Sequence, residues 1–133
     1  MKPIPFLATA ALLLTLGASA ALAGDVFVIT HSGLALQAGD VRDVFVGDKQ
    51  IEGAVKLVPI DNLSAQKEFL EKVIKVDSAK YSAIWAKKGF RDGLNPPTVK
   101  SSDAEVIAAV RSTPGAVGYV SKAPADMKVV HKY

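Results

Sequence analysis

From Gly24 onward the chain alternates short β-branched runs with stretches whose apolar residues recur every three or four positions. Val26 to Ile29 is a continuous apolar run closed by the turn-forming His31-Ser32-Gly33, the pattern of a strand buried on both faces. Val55 to Ile60 reads as a second strand interrupted by Pro59, which lacks a ladder N–H and so marks the strand's end or an exposed edge. Ala116 to Val120 and Lys128 to His131 read as two more strands. Strands separated by helical stretches bury their apolar faces in an α/β sandwich, with a mixed or mostly parallel central sheet.

The helical stretches carry their own start and stop signals. Asp40 is placed to cap a short helix on which Val41, Val44 and Phe45 share a face, with Gly47 at its left-handed end. A helix from Ser64 turns Phe69, Leu70 and Val73 inward and sets Glu68 against Lys72 and Glu71 against Lys75 on its solvated side. The next helix starts at Asp77 or Ser78, aligns Tyr81, Ile84, Trp85 and Lys88, and stops at Gly89. Tyr81 and Trp85 at this spacing read as core in preference to a ligand platform. Pro96-Pro97 forces an extended crossover. Ser102 and Glu105 form a capping box, Val106, Ile107 and Val110 face inward, and Pro114-Gly115 ends that helix.

The first residues predict export. Lys2, an apolar run from Phe6 to Leu16 and small residues ending in Ala21-Leu22-Ala23 predict a secretory signal over residues 1–23, cleaved before Gly24. An uncleaved anchor is the competing reading, but the apolar run is shorter than the ~20 residues a bilayer span needs. Removing 23 of 133 residues leaves 110, one domain at 24–133 with one core and no membrane anchor. The remaining 15 basic and 13 acidic residues are interleaved, which argues against a nucleic-acid role and does not oppose a small anion. The chain has no cysteine, so packing alone must stabilise it, and a periplasmic location follows.

Three segments in fixed order carry a family likeness: Val41 to Gly47 (VRDVFVG), Tyr81 to Pro97 (YSAIWAKKGFRDGLNPP) and Thr113 to Val120 (TPGAVGYV). With them, the region from roughly Asp25 to Val130 resembles the periplasmic phosphate-type substrate-binding proteins of ABC transporters. The resemblance implies one lobe of a periplasmic-binding-protein-like fold, a mixed or mostly parallel sheet with helices on both faces. It also implies a non-catalytic role in phosphate or other oxyanion transport. In the family two lobes close on the anion, and this chain holds about one. The family's anion-holding Arg and Ser-Gly-Thr correspond to Pro59 and to Leu63-Ser64-Ala65, so those ligands are replaced.

Open α/β sheets bind ligands beyond strand ends, where free helix N–H groups face an anion. Thr30, Ser32 and Gly33, with His31 between them, offer hydroxyls and a close backbone approach; an ordinary surface turn is the competing reading. Asn62 and Ser64, beside Asp61, form the second anion-binding candidate, with Ser64 read as a helix cap in preference to a ligand and Asp61 repelling a dianion. Ser101 and Ser102 are assigned to capping.

No catalytic motif, metal site or cofactor is implied. There is no H-E-x-x-H, G-x-S-x-G or P-loop, and His31 and His131 lie far apart in sequence. The sequence therefore predicts a periplasmic protein that binds phosphate or another small oxyanion. The alternative is a ligand-free module that docks a periplasmic protein partner or a second copy. In a homodimer, Thr30, Ser32 and Ser64 of both copies would face one another.

Overall fold

A computed structural model describes residues 24–133; the expected signal segment lies outside them. Strands β1 (Phe27–Thr30), β4 (Val58–Asn62), β5 (Thr98–Lys100), β6 (Ala116–Val120) and β7 (Lys128–Lys132) form one sheet in the order β5-β4-β6-β1-β7. A small hairpin pairs β2 (Ile51–Glu52) with β3 (Val55–Lys56). β4 runs parallel to β5 and β6, whereas β1 runs antiparallel to β6 and β7, so the sheet is mixed.

Alternation along the strands divides the core in two. Val28, Val117 and Tyr119 turn to one face, beneath helices α1 (Val41–Phe45), α2 (Gln66–Phe69) and α3 (Ser78–Asp92). Ile29, Ile60, Ala116 and Val120 turn to the other face and pack on Val106 and Val110 of α4 (Asp103–Ser112). On the first face three aromatic rings from α1, α2 and β6 meet. Phe69 stacks on Tyr119 with centroids 3.8 Å apart, and Phe45 meets both edge-on.

Several local expectations are corrected. Asp40 does not cap α1. It closes a preceding 3₁₀ turn (Ala38–Asp40), where its carboxylate accepts from Gln37 N at 3.3 Å. Gly47 does take φ +84°, and it lies under Trp85, whose Nε1 donates to Phe45 O at 2.9 Å. The stretch Val55 to Ile60 is two strands divided at Leu57. Pro59 lies in a central strand without breaking it. Val58 N donates to Gly115 O, so Pro59 faces the opposite side, where pairing with β5 begins only at Ile60.

Helix α2 starts after Ala65, not Ser64, and widens into a π turn (Leu70–Ile74) that seats both Val73 and Ile74 in the core. Lys75 ends it in the left-handed region at φ 65°, and Lys72 donates to Gly24 O, so neither expected Glu–Lys pair forms among the described residues. Asp77 caps α3 by accepting from Lys80 N at 2.8 Å. The helix passes through Gly89 and stops at Gly93, where φ is +68°. Half of the expected capping box on α4 is present. Ser102 Oγ accepts from Glu105 N, but the Glu105 carboxylate accepts from Ser101 Oγ.

Candidate functional site

The two groups of candidate anion ligands lie at opposite ends of the sheet. Thr30 is level with Val117 and therefore with Pro59, whereas Asn62 lies three residues further along β4, about 10 Å away in that direction. Ser32 and Ser64 extend the separation, because β1 leaves the sheet where β4 enters it. The cause is the antiparallel pairing of β1 with β6, which a β-branched run alone does not disclose. Within one copy, therefore, Thr30 and Ser32 lie apart from Ser64 and do not form a single cluster.

At the end of β4 and β6 the polar groups are engaged with one another. Asn62, fully buried, donates from Nδ2 to Asp103 Oδ1 at 2.7 Å and to Tyr119 O at 3.0 Å. Its Oδ1 accepts from Ser64 N at 3.0 Å and Ser64 Oγ at 2.7 Å, an Asx turn that leads into α2. Ser64 is thus held by Asn62 and does not cap the helix. Asp103, the first residue of α4, also accepts from Ser121 N at 3.0 Å and Ser121 Oγ at 2.7 Å. This carboxylate lies in the first turn of α4, where the helix dipole favours a negative charge.

Beside this network Asp61 is buried on the other face of β4. Its carboxylate accepts from Tyr119 Oη at 2.8 Å and from Tyr81 Oη at 3.0 Å. Burial pushes the Asp61 pKa above its ordinary value of 3.8, against the two hydrogen bonds, which lower it. Burial, and then the neighbouring carboxylate, push both tyrosine hydroxyls well above the usual phenol range. A second negative charge is disfavoured at this end of the sheet.

The opposite end has a different character. A pocket of about 230 Å³ is lined by Thr30, His31, Ser32, Arg111, Asp126 and Lys128, among others. Thr30 is 1% exposed, and its hydroxyl is buried without a hydrogen-bond partner among the described residues. Arg111 Nη2 donates to both oxygens of Asp126, at 2.8 and 2.9 Å. Lys128 Nζ donates to Leu34 O at 2.7 Å and so straps the turn that carries Ser32. Gly33 is exposed, and a methyl group built on it would meet open space, so no close approach requires glycine there. A groove of about 680 Å³ beside α2 is larger, but Lys67, Lys75, Glu71 and Asp77 balance its charge.

Sequence reasoning found Thr30 and Ser32 but not Arg111 or Lys128, which come from α4 and β7 and join the turn only through the sheet order. It also missed Asp103 and Tyr119 as partners of β4.

The mixed sheet with helices on both faces defines an α/β fold. In fold the chain is similar to an ABC-type phosphate transport receptor from Vibrio cholerae, with a TM-score of 0.56 at 11% identity, over 81% of this chain and 47% of the receptor. A PstS protein from Borrelia burgdorferi gives a TM-score of 0.48 at 16% identity, over 90% of this chain and 58% of that one. The chain spans about half the length of the Vibrio receptor. No protein-family model and no curated protein matches the sequence.

Proposed function

We propose that this chain is a non-catalytic, substrate-binding-protein-like lobe that works outside the cytoplasm, in the setting of oxyanion transport, by recognising phosphate or a related small oxyanion. The observation that carries the reading is the pocket at the end of β1. There a buried, unpaired Thr30 hydroxyl lies in the same wall as Ser32, His31, Arg111 and Lys128. An unpaired buried hydroxyl costs roughly 1–3 kcal/mol, which an acceptor oxygen would recover. Arg111 already holds a carboxylate through one nitrogen, and a phosphate oxygen has the chemistry to take Asp126's place.

The reading is tested by thermal melts in phosphate, with sulfate and chloride at matched ionic strength as controls. A ligand at 100 times its Kd stabilises by about 2.7 kcal/mol, which for a domain of this size raises the midpoint by roughly 10 °C or more. The shift is expected to shrink in Ser32→Ala and in Arg111→Gln.

A second reading, a ligand-free module that docks a protein partner, is favoured by Asp103. Its carboxylate already takes the donors of Asn62 and Ser121 at that end of the sheet. No phosphate-specific shift in any protein would support this reading against the first.

A further inference from the structure

Phe90 is 96% exposed, near the C-terminal end of a helix whose opposite side is fixed in the core by Tyr81 and Trp85. At 3.6 residues per turn, Ala79, Ala83, Ala86 and Phe90 fall within about 40° of one line along α3. Lys80, Lys87 and Arg91 lie on one flank of that line, roughly 60–100° from it. The other flank is Ser78, Ser82 and Gly89, without charge. All of these except the half-buried Gly89 are exposed.

The carboxylates nearby are few. Asp77 is committed to the N-cap, Asp48 pairs with Lys88, and Asp92 lies 3.5 Å from Arg91. Lys80 and Lys87 form no ion pair among the described residues. The sequence interleaves its charges, but helical geometry gathers three cations on one flank of an apolar line.

We infer that the outer face of α3 is a docking surface for an anionic lipid bilayer. Phe90 enters the acyl boundary, the alanines let the helix lie close to the surface, and Lys80, Lys87 and Arg91 reach phosphate headgroups. A helix in an interface needs an apolar line with cations beside it, and long basic side chains extend from that flank to headgroup level. This face is convex and built of small residues around one ring, which suits a plane better than the concave pocket a protein hot spot fills. The helix is already folded and packed, so docking orders no backbone. The inference does not depend on phosphate binding at the β1 pocket.

The test is sedimentation of the chain, as purified from a bacterial host, with vesicles of phosphatidylcholine alone or mixed equally with phosphatidylglycerol. Wild type and variants share every residue outside α3, so differences in partitioning belong to this face. Wild type is expected to partition into the anionic vesicles and to release with added salt. Lys87→Ala is expected to weaken partitioning about fivefold, and Phe90→Ser about tenfold or more. Melting curves of both variants are expected to match wild type, because neither side chain supports the core. Equal partitioning of wild type and variants would overturn the inference. So would binding to soluble polyglutamate without binding to vesicles, which would point to an acidic protein partner instead.

Discussion

Tyr119 donates its hydroxyl hydrogen to Asp61 Oδ1 at 2.8 Å, joining the middle of β6 to β4 across 58 residues of sequence. The ring of Tyr119 stacks on Phe69, so one residue serves both the apolar core and the only acceptor its hydroxyl contacts among the described residues. Asp61 in turn depends on Tyr119 and Tyr81 for its hydrogen bonds.

Tyr119→Phe keeps the stacked ring and removes one donor from a buried carboxylate. The expected loss is about 1–3 kcal/mol of stability, read by urea unfolding at neutral pH. Loss of a hydrogen bond that lowers the Asp61 pKa should also raise that pKa further.

Asp61 gives stability a definite pH dependence. Its folded pKa is raised above 3.8, so between that value and the folded value the native state binds more protons than the unfolded state. The stabilisation from this group is therefore fully present below 3.8 and is lost as pH rises through the folded pKa. Unfolding curves of wild type and Asp61→Asn across the acidic to neutral range should show wild type gaining relative to the variant as pH falls through that window. Parallel pH dependence in the two proteins would remove Asp61 from this account.

How much of this was legible in the sequence follows from how local each signal is. Val28 and Ile29 announced a two-sided strand because neighbours in a strand face opposite ways, and Asp77 announced a cap because the N–H that donates to it lies three residues on. The three-residue β5 was missed. Thr98 and Val99 are exposed, and only parallel pairing with Ile60 and Asp61 makes the segment a strand. Gly89 and Gly93 lie about one turn apart and offer the same stop signal; only Gly93 takes the left-handed conformation that ends the helix. The candidate anion ligands were named as residues, but their separation depends on strand direction, which neither composition nor spacing encodes.

Gly115 illustrates a tertiary demand at a place the sequence reads only as a helix end. A methyl group there would lie 2.1 Å from Lys56 O, and the residue takes φ +84°. Gly115→Ala should lower stability by at least about 2 kcal/mol, seen as a lower midpoint in thermal unfolding.

Asp103→Ala removes the acceptor for Asn62 Nδ2 and for the amide and hydroxyl of Ser121. The expected cost is about 1–3 kcal/mol. The released Asn62 Nδ2 and Ser121 amide and hydroxyl should then donate to an external oxyanion, so sulfate or phosphate should restore part of the lost melting temperature where chloride at equal ionic strength does not.

The most direct test of oxyanion recognition at the β1 pocket is a phosphate titration followed residue by residue through backbone amide resonances. Saturable shifts at His31, Ser32, Gly33, Arg111 and Lys128 are predicted, with Asn62, Ser64 and Asp103 unmoved. Shifts confined to Asn62, Ser64 and Asp103, or no saturable shift anywhere, would contradict it.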